Sequence, residues 1–346
     1  MILVTGGAGF IGSHFVLDWL GTVGEPVLNL DKLSYAGSKA RLADIAHRAD
    51  HVFVQGDIAD TALVTQLLKR YQPRAVVHFA AQTHVDRSIA QPQDFVQTNV
   101  LGTFALLEAV RAWWQAQPAA QQTAFRFLHV STDEVYGSQT PEQAPVCETH
   151  VLAPGNPYAA SKAASEHLVQ AVHHTWGMPV LIGRSSNNYG PHQHPEKLMP
   201  MVLHRALQGQ PITLYGDGQH VRDWLHVQDH CAALRAMLAQ GLPGGVWNIA
   251  AGNPQRNLEL ARMLCDLLDE LAPTPDAKPR RSLIQHGPDR LGHDRRYAVN
   301  ADRAREQLAW RPHRDFAAGL RDMVRWTVAH SALQSPRACD DLAQAG

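Results

Sequence analysis

Long apolar runs are missing from this chain: no stretch reaches the roughly eighteen residues of a membrane-spanning helix. Met1 runs straight into I-L-V-T with neither a charged leader nor a cleavage site, so neither a spanning anchor nor a secretory signal is expected, and a cytoplasmic location is. An excess of either charge is also missing, since 31 Lys and Arg stand against 32 Asp and Glu. With no global basic field, nucleic acid and anionic membrane surfaces are excluded as partners. Cysteine is scarce. Cys147, Cys231, Cys265 and Cys339 lie far apart with no C-x-x-C spacing, which argues against a disulfide frame or a thiolate zinc site and for reduced thiols. Histidine is plentiful at 20, but H-Q-H at 192–194 and H-H at 173–174 have no carboxylate or cysteine at ligand spacing, so no metal site is expected.

What is present is a chain of 346 residues with 45% hydrophobic content, ample for a large core. Short apolar runs (I-L-V at 2–4, P-V-L-N-L at 26–30, H-V-F-V at 51–54, A-V-V-H-F at 75–79, F-R-F-L-H-V at 125–130, P-V-L-I-G at 179–183) alternate with helical patterns at 61–71, 93–116 and 157–175. Continuous rather than alternating hydrophobicity means strands covered on both faces, and the helical spacers supply the crossovers. The fold expected is α/β, a doubly wound parallel sheet over residues 1–190 with some later chain crossing back. A smaller lobe follows over 191–330, where Pro and Gly punctuation thickens, with a surface linker at 272–281 and a flexible tail over 331–346.

T-G-G-A-G-F-I-G at 5–12 follows the first strand and opens a helix. Gly6, Gly9 and Gly12 permit the tight turn, the close approach of backbone to a pyrophosphate and close helix packing, while the helix start offers N–H groups and positive dipole. Asp31 ends the next strand at about the spacing where a carboxylate holds ribose hydroxyls, which favours NAD over NADP. G-D-I at 56–58 and F-A-A at 79–81 end the third and fourth strands and are placed to flank the same cofactor.

Two further stretches carry chemistry. In N-P-Y-A-A-S-K at 156–162, Asn156 caps a helix, Pro157 suits its first position, and Tyr158 and Lys162 fall one turn apart on one face. An ammonium and a cofactor's positive ring beside the phenol favour phenolate, a usable base at neutral pH. S-T-D-E at 131–134 sets a hydroxyl and two adjacent carboxylates, Thr132, Asp133 and Glu134, directly after a buried strand. Taken alone, that is a turn; at the carboxyl end of a strand facing a ligand crevice, it is an acid–base pair.

With these stretches, D-K-L-S-Y-A-G, H-F-A-A-Q-T-H-V-D-R-S, R-S-S-N-N-Y-G-P, P-E-K-L-M-P, Y-G-D-G-Q-H-V-R-D-W and D-R-L-G-H-D-R-R-Y, the sequence resembles the extended short-chain dehydrogenase/reductases, and within them the dTDP-glucose 4,6-dehydratases, from Met1 to about Trp326. The resemblance implies resident NAD held by the glycine loop with Phe10 and Ile11, by Asp31, Lys32, Leu33 and Ser34, by Asp57 and Ile58, by Phe79, Ala80, Ala81 and Thr83, and by Thr98, Tyr158, Lys162 and Asn188. It implies that Tyr158 takes the C4 hydroxyl proton, Thr132 bonds the same oxygen, Glu134 removes the C5 proton and a protonated Asp133 assists departure of the C6 hydroxyl. Thr83 and Asn187 would touch the sugar; Lys197, Leu198 and Arg222 the diphosphate; Thr213, Tyr215 and Asn257 the nucleoside; and Asp289, Arg290 and His293 its far end. A homodimer built on the helices at 93–116 and 157–175 is implied too, although W-W at 113–114 also suits core packing. The chain departs from the family pattern at Gln82-Thr83, where Glu-Ser is usual, and at Thr213 and Leu291, where proline is common, so UDP-glucose is a competing substrate. A nucleotide-sugar 4-epimerase or decarboxylase and a non-catalytic NAD-binding regulator are the other readings.

Overall fold

The structure is a computed structural model describing residues 1–274 and 277–331. The expected tail over 331–346 lies, beyond Ser331, outside the described residues, as do Cys339 and part of the expected linker at 272–281. At the linker's far end the expectation fails: Arg280 is buried, donating to the Ala206 carbonyl at 3.2 Å and to Asp269 Oδ1 at 2.8 Å, so this stretch is tied down by its arginine.

The chain forms two compact units. The first takes Met1–Asn188, Arg222–Asn253 and Leu291–His313; the second takes Tyr189–Val221, Pro254–Arg290 and the chain from Arg314. In the first unit lies one seven-stranded parallel sheet made of β1 (Ile2–Thr5), β2 (Val27–Asp31), β3 (His51–Gln55), β4 (Ala75–His78), β5 (Arg126–Thr132), β6 (Val180–Ser185) and β7 (Gly245–Ile249). The strand order β7-β6-β5-β4-β1-β2-β3 reverses direction at β1 and β4, whose ends Thr5 and His78 are in register. In open parallel sheets this switch point is where ligands bind, at the carboxyl ends of the strands.

The apolar strands are continuous because both faces are covered. Ile2 and Val4 of β1 pack with Phe15 and Trp19 of α1 (Phe10–Thr22) and with Leu234 and Met237 of α5 (Val227–Gln240). Leu3 between them points the other way, into a second core with Leu67 and Leu68 of α2 (Thr61–Tyr71), Leu106 and Trp113 of α3 (Thr103–Gln115) and Val169 of α4 (Pro157–Trp176). Trp113 and Trp114 are core residues, and the Trp114 indole donates to the Gln122 carbonyl at 3.0 Å. The helical pattern at 93–116 is not one regular helix: Val96–Gly102 is wound as a π-helix ahead of α3. Within it Asn99 turns inward, its amide paired with both backbone groups of Gln82 at 2.8 and 3.0 Å and donating to Ser161 Oγ at 2.8 Å. Such wide turns recur at functional sites.

The second unit holds helices Leu198–Leu207, Asn257–Leu271 and Phe316–His330 and a parallel pair of strands, Ile212–Tyr215 and Ile284–Gly287. Among the described residues no helix is long and apolar enough to cross a membrane.

Candidate active site

The glycine loop is shaped by its sequence. Gly6 sits at φ +74°, and a Cβ there would lie 2.6 Å from the Ala80 nitrogen, so no other residue fits. Gly9 stands at the N-cap of α1 with Phe10 and Ile11 in its first turn, leaving the helix start free of a side-chain cap. Asp31, buried at the end of β2, accepts from the Ala8 N–H at 2.8 Å and the Leu33 N–H at 2.7 Å, while Lys32 pairs with Asp57 at 3.1 Å. Phe79, Ala80, Ala81 and Thr83 follow β4, Ile58 packs beneath Gly102, and Thr98 lies in the π-helical turn. Asn188 accepts from the His230 ring at 2.9 Å. A tight loop at a helix start with an acidic strand end 20-odd residues on suits a dinucleotide pyrophosphate and ribose, so these residues fit NAD.

Sequence reasoning missed Arg41. Its guanidinium donates to the Ala8 and Ala36 carbonyls at 2.9 and 2.6 Å, beside the loop, and shares its field with Asp31.

The second cluster lies at the end of β5. Asn156 caps α4 by accepting from the Ala159 N–H at 2.9 Å, with Pro157 in the first turn, and this places Tyr158 and Lys162 against the strand, both buried. The Lys162 ammonium donates to the Val130 carbonyl at 2.8 Å and lies 3.3 Å from His129 Nε2. Burial pulls its pKa down to about 8, partly opposed by the Glu166 charge. His129 and His78 behind it are fully buried and held neutral, His78 at about 3.

The Tyr158 phenol is hydrogen-bonded by Thr132, yet its pKa is raised, by burial first and then by the Glu134 charge. The expected easing of the phenol calls for a cofactor's positive ring as well as the ammonium. Lys162 is engaged with the strand, so within the protein alone desolvation and two carboxylates outweigh it and keep the phenol protonated.

Thr132 ends β5, and Asp133 to Tyr136 form a single 3-10 turn after it. Asp133 is 2% exposed; its Oδ1 accepts from the Thr132 hydroxyl at 3.3 Å and its Oδ2 is buried with no partner among the described residues. Burial, then the neighbouring Glu134 and Asp223 charges, push its pKa well above the usual carboxylate range. Its acid form is therefore favoured over that of an ordinary carboxyl, and Glu134 sits beside it, half-buried, with the Tyr297 hydroxyl 3.4 Å from its Oε2. Two adjacent carboxyls in unlike environments are the arrangement that separates an acid from a base.

Sequence reasoning also missed Tyr297 and Asp294 as members of this cluster. The Tyr297 hydroxyl donates to Asp294 Oδ2 at 2.6 Å, and the Arg222 guanidinium lies 4.3 Å over the Tyr297 ring while donating to the Asp294 carbonyl at 2.8 Å. The run D-R-R-Y was the available signal. Arg222 and Asp223 are both buried, and Asp223 accepts from the Gly252 and Asn253 N–H groups at 3.1 and 2.6 Å. Asn187 Oδ1 is a second buried polar atom with no partner among the described residues. Two such orphans, just past the ends of the neighbouring strands β5 and β6, mark where a ligand's polar groups belong.

Thr83, Asn187, Arg222 and His293 belong to the first unit; Lys197, Leu198, Thr213, Tyr215, Asn257, Asp289 and Arg290 belong to the second. Within the second, Tyr215 is 43% exposed with the Arg290 guanidinium 4.7 Å over its ring, and Asp289 lies 3.5 Å from the His220 ring. Lys197 precedes the helix that Leu198 starts, Asn257 begins the next, and the Thr213 hydroxyl accepts from Gln285 at 2.8 Å.

The family model described as GDP-mannose 4,6 dehydratase matches residues 3–323. A dTDP-glucose 4,6-dehydratase of Xanthomonas campestris is 54% identical over 95% of this chain and 93% of its own length. Among solved structures, DesIV, a dTDP-glucose 4,6-dehydratase from Streptomyces venezuelae with NAD and TYD bound, superposes with a TM-score of 0.88 at 41% identity, covering 97% of this chain and 99% of that one. A UDP-glucose 4-epimerase of Thermus thermophilus in complex with NAD gives 0.81 at 30% identity, covering 94% and 98%.

Proposed function

We infer the reaction from family membership and site geometry together: the chain belongs to the GDP-mannose 4,6 dehydratase family and, within it, to the dTDP-glucose 4,6-dehydratases. It is an NAD-dependent hydro-lyase that converts dTDP-glucose to dTDP-4-keto-6-deoxyglucose and water. The observation that carries this over a 4-epimerase is the carboxyl pair, Asp133 with its proton held by burial and Glu134 beside it. An epimerase moves hydride at one carbon and has no hydroxyl to expel.

Bound NAD supplies the acceptor and donor of a hydride that leaves C4 and returns at C6. The residues supply proton transfer and orientation. Tyr158, hydrogen-bonded to Thr132, accepts the C4 hydroxyl proton once a positive charge stands near enough to offset the burial that keeps the phenol protonated. Lys162, fixed by the Val130 carbonyl, holds the cofactor ribose. Oxidation at C4 acidifies the C5 proton, which Glu134 removes, and Asp133 protonates the departing C6 hydroxyl. Proton and hydroxide leave as water; the 4-keto-5,6-ene takes hydride at C6 and a proton at C5, which Glu134 returns, and the C4 hydroxyl proton on Tyr158 makes good the one that Asp133 gave up. Asn187 and Thr83 hold the sugar, Arg222 and Lys197 the diphosphate, and Tyr215 the base. The cofactor is restored each turn, so turnover should proceed with NAD and release no net NADH; stoichiometric NADH release, or a need for NADP, would contradict the assignment.

Thymine over uracil is the finer preference we propose. Thr213 supports some tolerance of UDP-glucose, because a threonine held by Gln285 leaves less fixed backbone than proline beside Tyr215. In Thr213→Pro the ratio of kcat/KM for dTDP-glucose over UDP-glucose should rise about three- to tenfold; an unchanged ratio would clear Thr213 of any part in selectivity.

We also propose a cytoplasmic homodimer. Val96, Leu101 and Phe104, each about half exposed at 48–49% on the turns leading into α3, support a second copy as the cover, and the free thiols of Cys147, Cys231 and Cys265 suit a reducing compartment. Light scattering on Phe104→Glu tests the dimer, which predicts dissociation; a wild-type protein that is already monomeric would contradict it.

A further inference from the structure

A charged pair to which the mechanism gives no part lies between the strand and the helix that carry the catalytic groups. Glu166, one turn beyond Lys162 on α4, is fully buried, and Arg184 of β6 is 3% exposed. They meet side on, Arg184 Nη2 at 2.7 Å and Nε at 2.9 Å from Glu166 Oε2. Such pairs are poor sources of stability, because desolvating both charges offsets most of their attraction. The pair's other contacts suggest what it is for.

The Ser131 hydroxyl donates to Glu166 Oε1. Arg184 Nη1 donates to the Tyr136 hydroxyl at 2.7 Å, with the guanidinium 4.9 Å over that ring, and Tyr136 donates in turn to Asn248 Oδ1 at 2.7 Å. Asn248 is fixed by the Val146 and Asn300 carbonyls, each at 3.1 Å. One ion pair thus grips residues 131 and 136, which bracket Thr132, Asp133 and Glu134. The grip falls where the sheet ends, since the register between β5 and β6 stops at Thr132 opposite Ser185. Beyond that point the turn has few backbone anchors, among them the Ala153 N–H on the Val135 carbonyl at 3.0 Å.

We propose that Glu166 and Arg184 are positioning residues of the reaction, a buried ion pair that clamps the catalytic turn at both ends and fixes Thr132, Asp133 and Glu134 against Tyr158 and Lys162. The proposal rests on the dehydratase reading and adds residues that touch neither substrate nor cofactor.

A second consequence distinguishes a clamp in this place from a structural bridge elsewhere. The charged and titratable groups around Lys162 are Glu166 and Tyr158 on its own helix, His129 on β5 and His78 on β4, the histidines being neutral. Glu166 is the negative charge that opposes the downward pull of burial on Lys162. Lys162 works as the ammonium, so activity should fall as pH rises through its pKa, about 8 in the protein alone. Without the Glu166 charge the ammonium loses its proton at lower pH, and the alkaline limb should move down with it.

The test compares wild type with Glu166→Gln, with Glu166→Gln/Arg184→Gln and with Tyr136→Phe, measuring kcat and KM for dTDP-glucose across pH, NAD affinity by calorimetry, and thermal melting. Both Glu166 variants should lose about 10²-fold in kcat, with KM within about threefold, because a misplaced turn costs chemistry more than binding. Their alkaline limb should lie at lower pH and their NAD affinity should be unchanged. Tyr136→Phe should lose about tenfold in kcat with its alkaline limb in place. Stranding one member of a buried pair is far worse tolerated than replacing both, so the double variant decides if Glu166→Gln does not fold. A double variant and a Tyr136→Phe that melt lower but keep wild-type kcat and alkaline limb would overturn the clamp. A wild type that makes no 4-keto-6-deoxy product would defeat the dehydratase reading itself, and the clamp with it.

Discussion

In Glu134→Gln, dTDP-glucose is expected to reduce the bound cofactor and go no further. The groups assigned to the C4 step, Thr132, Tyr158 and Lys162, are untouched by the change, and the substituted amide keeps roughly the volume of the carboxylate while losing its basicity. The C5 proton then has no base. Enzyme-bound NADH should accumulate, visible by its near-ultraviolet absorbance, solvent deuterium should enter C5 more slowly, and product formation should fall by about 10²–10⁴-fold. Tyr158→Phe should fail a step earlier, with almost no reduced cofactor. If Glu134→Gln forms product at the wild-type rate, the carboxylate pair is only a strand-end turn.

Asp133→Asn should lose as much, about 10²–10⁴-fold in kcat, for the opposite reason. Burial and then the Glu134 and Asp223 charges raise the pKa of Asp133 and favour its acid form, and its Oδ2 has no protein partner among the described residues. Asparagine fills the same space and can donate a hydrogen bond, but it has no proton to give up to a departing hydroxide. Oxidation at C4 and exchange at C5 should therefore continue while loss of the C6 hydroxyl stalls, so deuterium should appear at C5 of recovered substrate, unlike in Glu134→Gln. The sign of the pH dependence follows from the raised pKa. The acid form is present below it and is lost as pH rises through it, so in wild type the elimination step should weaken toward alkaline pH, whereas Asp133→Asn should keep only the alkaline limb that Lys162 sets. A variant that retains the wild-type rate would remove Asp133 from the acid's role.

How much of this was legible beforehand depends on how local each cause is. The glycine turn, the Asn156 cap and the one-turn spacing of Tyr158 and Lys162 depend on neighbours in sequence, so residue type and spacing sufficed, as they did for strands covered on both faces. A proton on Asp133 was implied by the resemblance alone and not by residue type or spacing, because its cause is a burial that the whole fold creates, joined by the Glu134 and Asp223 charges. The burial that raises the Tyr158 pKa was hidden in the same way, since one-turn spacing to Lys162 says nothing of what covers the phenol. The contacts of Tyr297 with Glu134 and of Glu166 with Ser131 join residues 163 and 35 positions apart, separations at which periodicity carries no signal. The Val96–Gly102 irregularity was hidden likewise, since Asn99 is drawn inward by Gln82 and Ser161 from other elements.

One hydride should leave C4 and return to C6 of the same sugar while the hydroxyl at C6 is expelled. Incubation of the enzyme and NAD with dTDP-glucose carrying deuterium at C4, followed by mass spectrometry and NMR of the product, tests it most directly. The product expected is a 4-keto-6-deoxy sugar with the deuterium in its C6 methyl group. Deuterium retained at C4 of a galactose epimer, or passed to free NADH, would contradict it.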